Sequence, residues 1–198
     1  GDIVILMRSP STSVNDYLEI LRLAGIDVIS KSSSGYFQAT EISDMISLLK
    51  LLDNPRRDIE LGADLRSPLV NFSTTELALY LANYPPKKAA FYDCVLAYTA
   101  AGEDDDLKQK LRSALDKVSD WRIMVRRQSL ADLVWLIYRE TGYLSFVSGL
   151  ANGKQRRANL LKLHDRAIQF EGFTSSQTAS LTRFVEFLEK LDSEQQDW

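Results

Sequence analysis

The chain has 198 residues, of which 45% are hydrophobic and 26% charged, and its formal net charge is −3. That composition suits an ordinary soluble polypeptide long enough for one large domain or two small ones. It excludes a membrane protein and a collagen-like or low-complexity chain, since no apolar run approaches the roughly 18 to 20 residues that cross a bilayer. With a single cysteine, Cys94, and a single histidine, His164, the sequence supports neither an intramolecular disulfide nor a Cys/His zinc cluster. The run from Ile3 to Met7 beside Asp2 is too short for a signal peptide, so a cytoplasmic location without membrane contact is expected. The slightly acidic balance argues against a whole-surface nucleic-acid binder but leaves room for a local basic patch.

The first thirty residues read as a β-α-β unit. Ile3-Val4-Ile5-Leu6-Met7 is a continuous apolar run suited to a strand covered on both faces. Val14, Tyr17, Leu18, Leu21 and Ala24 then recur at helical spacing up to Gly25, and Ile26 to Ile29 form a second short strand. Almost no further strand signal follows. These strands are therefore expected to belong to a sheet whose other members lie outside this sequence, as in a fragment of a larger protein, which would leave residues 3–7 with an exposed edge or paired with another copy of the chain.

From Lys31 onward the pattern is helical. Ile42, Met45, Ile46, Leu48, Leu49 and Leu52 mark an amphipathic helix ended by Asp53-Asn54-Pro55. A turn-rich stretch through Gly62 and Arg66-Ser67-Pro68 to Asn71 leads to Ser73-Thr74-Thr75-Glu76, a capping-box start for a helix through Leu77 and Leu81 that ends at Tyr84-Pro85-Pro86. Further helices are expected at about 87–101, 104–118, 130–141, 153–170 and 175–191, broken at Gly102, Ser119, Gly142 and Gly172. No internal repeat of fixed period is present. The fold class is thus mainly α, with a short N-terminal β-α-β segment.

Several motifs invite chemistry. Gly149-Leu150-Ala151-Asn152-Gly153-Lys154-Gln155 approaches a phosphate loop, but it has three residues between its glycines, Gln155 in place of the hydroxyl, and a helical segment before it, so no nucleotide loop is expected. The acidic run Glu103 to Asp106 is the solvated first turn of a helix rather than a cation site. Cys94 sits where a small buried hydrophobe is expected, and His164 lies on a helix with a basic face. No catalytic residue and no metal ligand is assigned. Lys154, Arg156, Arg157, Lys162 and Arg166, interleaved with Gln155 and Asn159, lie along one helix and its entry, and Arg122, Arg126 and Arg127 form a second basic set. Such a stripe either contacts phosphates or is an ordinary solvated face, here partly balanced by Asp165 and Glu171.

Read together, Asp2 to Ser9, Gly25-Ile26, and Gly35-Tyr36-Phe37 followed by Glu41-Ile42 and a Leu-rich helix resemble UvrD-like superfamily-one DNA helicases. In that family this order leads from the second RecA-like motor domain into the helical insertion called 2B. The resemblance therefore implies a partial motor-domain root at 1–30 and a helical 2B-like insertion at 31–198. Leu51 to Ile59, Leu65-Arg66-Ser67-Pro68, Tyr138 to Tyr143 and Gly153 to Leu160 narrow it to the AddA family of helicase/nucleases from bacterial recombination complexes. Walker, arginine-finger and nuclease motifs have no match in this chain. By resemblance, the parent protein would use ATP and magnesium, while this segment, with no cofactor of its own, would neither hydrolyse ATP nor cut DNA.

The same resemblance implies two partners, DNA and an AddB-like subunit, in double-strand-break repair and recombination. Arg66, Ser67, Lys154, Arg156 and Arg157 are then the residues expected to bind DNA. The alternative is a helical protein-interaction module without direct DNA contact. One departure stands out: UvrD-type relatives carry a glycine-containing turn after the Ser/Thr-Pro pair, whereas Leu69-Val70-Asn71-Phe72-Ser73 has no glycine. Close backbone approach to duplex phosphates is harder there.

Overall fold

A computed structural model describes residues 3–5, 17, 20, 21, 24, 26, 35–70, 72, 73, 76, 90–173 and 180–196. Among these residues eight helices follow in chain order: α1 (Thr40–Asp53), α2 (Asp58–Arg66), α3 (Phe91–Ala101), α4 (Asp105–Val125), α5 (Leu130–Thr141), α6 (Tyr143–Ser148), α7 (Gly153–Phe173) and α8 (Leu181–Gln196). The mainly α class read from the sequence is the class observed. No helix among the described residues is long and apolar enough to cross a membrane.

The centre of the bundle is α1. Ile42, Met45, Leu48 and Leu49, at three- and four-residue spacing, are fully enclosed, as a core-facing stripe requires. Against this helix pack α2, α4, α7 and α8, while α5 joins α4 to α6 and α7, and α3 bridges α2 and α4. The Tyr138 hydroxyl donates to the Leu160 carbonyl at 2.8 Å in the buried α5–α7 seam. Phe170, Phe184 and Phe187 cluster where α7 meets α8, with Phe184 and Phe187 stacked and Phe170 tilted against both.

Helix ends follow local chemistry. Asp104 accepts from the Leu107 amide at 2.9 Å to cap α4, and Ser129 accepts from Asp132 at 3.0 Å to cap α5. Gly142 ends α5 at φ 66°, the left-handed conformation that favours glycine. The Ser73 capping box is formed reciprocally: the Ser73 amide donates to Glu76 Oε2 at 2.6 Å, and the Glu76 amide to Ser73 Oγ at 3.1 Å. The helix expected beyond it, at 77–84, lies outside the described residues.

The turn between α6 and α7 uses the two glycines of the phosphate-loop near miss. Asn152 takes φ 58°, and a β-carbon at Gly153 would overlap the Ser148 carbonyl. The glycine therefore serves close helix packing.

Three expectations are corrected, and a fourth is not shown. The stretch 58–66, read as turns, is the helix α2, because Leu61 and Leu65 anchor it in the core and Gly62 is tolerated in open space. The break expected at Ser119 does not occur, since Val118 and Trp121 continue the buried stripe of α4 from Leu107, Leu111 and Ala114. Gly172 likewise does not end α7, which runs on to Phe173.

The fourth is the β-α-β segment, which is not shown. Among the described residues there is no strand, and Ile3, Val4 and Ile5 are irregular and exposed. A strand exists only through a ladder with a neighbour, and no described residue pairs with these three. Residues 6–7 and 27–29 of the expected strands lie outside the described residues. The helix expected before Gly25 is represented by helical Tyr17, Ile20 and Leu21, with the Ala24 amide bonded to the Ile20 carbonyl at 3.0 Å.

Candidate nucleic-acid interface

Helix α7 divides the basic residues among its faces. Leu160, Leu163 and Ala167 point into the core. The next face meets α1, where Glu41 is 2% exposed and accepts from Arg156 Nη1 at 2.6 Å and Asn159 Nδ2 at 2.7 Å. Arg156 Nε also donates to the Ala151 carbonyl at 3.0 Å. Arg156 is therefore a tie between α1 and the start of α7. Losing Arg156 leaves the enclosed Glu41 charge without its ion-pair partner, at a cost of about 3–5 kcal/mol, whereas losing Glu41 leaves a partly exposed guanidinium and costs less.

Lys162 and Arg166 are also engaged. The Lys162 ammonium stands 5.0 Å from the Tyr36 ring centre, and Arg166 lies over Tyr36 at 4.2 Å and Phe37 at 4.9 Å. Burial first, then the neighbouring Arg166 charge, lower the Lys162 pKa from its ordinary value. By contrast, Lys154 and Arg157 are exposed, and neither makes an ion pair or side-chain hydrogen bond with a described residue.

Arg66 and Ser67 end α2 on the other side of the same region. The Ser67 hydroxyl donates to the Asp64 carbonyl at 2.9 Å and accepts from the Leu69 amide at 3.2 Å, and the residue is 5% exposed. Its polar capacity is used within the turn, which the Phe72 amide closes on the Leu65 carbonyl at 2.9 Å. Among the described residues of this turn none takes positive φ, so it is built without glycine. Arg66 is exposed beside it.

Arg66, Ser67 and Arg156 are brought together around one open cavity of about 370 Å³, lined also by Glu41, Asp44, Ala63, Pro68, Tyr143, Phe146 and Leu150. Tyr143 donates its hydroxyl to Asp44 Oδ2 at 2.7 Å. Burial raises the Asp44 pKa, with the Tyr143 bond opposing and the Glu41 charge adding to the rise. Lys154 and Arg157 do not line the cavity; they continue along the outer side of α7.

Behind the cavity, Asp64 is 1% exposed and neither carboxyl oxygen has a hydrogen-bond partner among the described residues. Burial pushes its carboxyl up to about 8, the Ser47 hydroxyl opposes this, and the Asp44 and Glu60 charges add to it. Ser47 also directs its hydroxyl to the Glu60 carbonyl at 3.3 Å, so its opposition is small against the effect of burial.

The remaining candidates take structural positions. Arg122 Nε donates to the Leu52 carbonyl at 3.0 Å at the end of α1, whereas Arg126 and Arg127 are exposed past the end of α4. Cys94 is buried, and His164 packs 5.3 Å from the Trp135 ring. No group of three His, Cys, Asp or Glu side chains suited to a metal ion occurs among the described residues. Sequence reasoning missed Trp135 and the Glu41 acceptor. Trp135 was detectable, since it falls off the Leu133, Val134, Ile137, Tyr138 stripe and so belongs to the outer face of α5.

No family model matches the chain. Among curated proteins it is 46% identical over 200 residues to the AddA subunit of the ATP-dependent helicase/nuclease from Geobacillus thermodenitrificans, covering 99% of this chain and 16% of that protein. It is 44% identical over 197 residues to the protein of the same name from Anoxybacillus flavithermus, covering 100% and 16%. A third, from Pelotomaculum thermopropionicum, is 42% identical over 190 residues, covering 96% and 14%. Identity at this level over nearly the whole chain places it by descent: the chain belongs to the AddA family of ATP-dependent helicase/nuclease subunits, and it spans about 16% of the length of the relatives it matches.

Proposed function

We propose that this segment guides DNA within an ATP-dependent DNA helicase/nuclease that works in double-strand-break repair and recombination. Lys154, Arg157 and Arg66 contact phosphates, while Arg156 and Ser67 hold α7 and the α2 turn that carry them. The observation behind this reading is the pair Lys154 and Arg157. They are exposed one helical turn apart, without an ion pair to any described residue, on a helix whose neighbouring Arg156 is tied to Glu41. Unpaired cations on a rigid helix suit phosphate contact, because they lose no existing partner on binding. ATP and magnesium serve parts of such an enzyme that carry Walker motifs, and the purified chain is expected to turn over no ATP.

Binding of a forked DNA by the purified chain, measured against salt, tests the reading. Each phosphate contact contributes about 0.9 to the slope of log K against log salt on duplex DNA. Lys154→Ala with Arg157→Ala is therefore expected to lower the slope by about two. Absence of binding at low salt, or an unchanged slope in the double variant, refutes it.

A second reading has its own support. Phe146 and Leu150 remain half exposed on the wall of the α1–α2–α6 cavity, which is a feature of partner-binding surfaces. On that reading the groove receives an AddB-like partner, and the cations are solvated. Phe146→Ser would then weaken association with that partner while leaving DNA binding unchanged.

A further inference from the structure

We infer that the outer ledge formed by Trp135 and His164 between α5 and α7 is a stacking site for an unpaired nucleobase, so that the DNA on this face is single-stranded or splayed. The inference rests on the DNA-guiding function proposed above and names the form of DNA involved.

Helix α5 buries Leu133, Val134, Ile137 and Tyr138, yet carries a tryptophan that remains 45% exposed. Its indole is braced by the His164 ring, tilted at 54° with centroids 5.3 Å apart, and by the Tyr138 ring at 6.4 Å, edge to face. Both supports come from regular helices, so the ring is held in place before any ligand arrives. The α5–α7 contacts run antiparallel: the Tyr138 hydroxyl meets the Leu160 carbonyl, Trp135 meets His164, and the Leu130 amide meets Glu171.

That register sorts the charges. Arg139 lies one turn beyond Trp135, about 6 Å along α5, and Arg157 lies two turns before His164 on the same side of α7. Both fall at the same end of the ledge, with Lys154 a further turn along. All three are exposed, and none makes an ion pair or side-chain hydrogen bond with a described residue. At the opposite end stand Ile168, half exposed, and Asp132, one turn before Trp135; Asp165 lies beside His164. A supported aromatic face with unpaired cations at one end matches a base with its phosphates, since stacking is open to any base once it leaves its pair. In a duplex both faces of each interior base are already stacked.

The test compares the purified parent chain with Trp135→Leu, Trp135→Phe and Arg139→Ala, by fluorescence anisotropy with a labelled oligothymidylate and a blunt duplex. Trp135→Leu is expected to lose about tenfold in affinity for the single strand, Trp135→Phe to lose less, and both to bind the duplex as the parent does. Arg139→Ala should lower the single-strand salt slope by about 0.7. In parallel, an oligonucleotide carrying 5-iodouracil should photocrosslink to the peptide containing Trp135, a result that needs no variant to fold. If the parent binds DNA while Trp135→Leu retains full single-strand affinity, or if the crosslink maps to another helix, the stacking site is refuted and the phosphate-contact function stands. If the parent binds neither DNA at low salt, both fall. A ledge that serves a protein partner instead would show Trp135→Leu losing association with that partner while DNA binding stays intact, which also overturns the inference.

Discussion

Replacing Asp64 by Asn removes a titrating group from the α1–α2 seam, and the sign and size of its effect follow from where that carboxyl sits. The side chain is 1% exposed, neither carboxyl oxygen has a close hydrogen-bond partner among the described residues, and its pKa is pushed up to about 8 by burial. In the unfolded chain an aspartate loses its proton near pH 4. Between about pH 4 and pH 8 the folded state therefore keeps a proton that the unfolded state releases, and stability falls as pH rises through that window. Each pH unit is worth about 1.4 kcal/mol, so by pH 7, some three units above the unfolded value, the ceiling is about 4 kcal/mol. Movement of α2 or entry of water into the seam relieves part of this. Asp64→Asn is thus expected to stabilise the chain by about 1–3 kcal/mol at pH 7, and by progressively less toward pH 4. Urea unfolding followed by circular dichroism at several pH values measures it, provided the m-value is unchanged. A stability difference that stays constant from about pH 5 to pH 8, or that grows toward acid, refutes the assignment of a neutral buried carboxyl.

Three other perturbations probe the same framework. Glu41→Ala leaves Asn159 and the partly exposed Arg156 beside a vacated acceptor and should cost about 1–3 kcal/mol by urea unfolding, whereas Glu41→Ala with Arg156→Ala should recover part of the loss; additive losses would show that the pair is not coupled. Gly153→Ala forces a β-carbon onto the Ser148 carbonyl and should lower the Tm by several degrees, while Asn152→Gly, at φ 58°, should leave it unchanged or raise it. Tyr138→Phe removes the 2.8 Å bond to the Leu160 carbonyl and is expected to cost about 1–2 kcal/mol, with no change in DNA affinity.

Legibility of the fold depended on how local each signal was. Helix α5 occupies 130–141, the span read from the sequence, because its serine cap and its left-handed glycine both act within a few residues of its ends. The Ser73 box was legible for the same reason. Helix α2 was hidden by Gly62 and the Arg-Ser-Pro run, since nine residues with two core leucines give too short a stripe to outweigh turn residues. At Ser119 the residue type was neutral, and the decision came from Trp121 two positions on, buried against other helices. The strand at 3–7 was the least local expectation, for a ladder needs a second segment that these residues do not name.

The basic stripe shows why charge along a helix is a poor guide to which residues are free to bind. Lys154, Arg156, Arg157, Lys162 and Arg166 look alike in sequence, yet the bundle makes Arg156 a tie to a carboxylate 115 residues away and turns Lys162 and Arg166 onto the Tyr36 and Phe37 rings. Paired with a carboxylate, Arg156 must give up its partner before it can serve a phosphate, and that exchange leaves a buried Glu41 charge behind. The bonds of Arg156 and Asn159 to Glu41 fix the azimuth of α7 against α1, and with it the direction in which Lys154 and Arg157 project. The engaged Arg156 therefore sets the orientation of Lys154 and Arg157, which make no ion pair with a described residue. A substitution at Arg156 should for this reason disturb DNA binding through the pose and stability of α7, with a salt slope close to that of the parent, whereas substitutions at Lys154 and Arg157 should change the slope and leave stability intact.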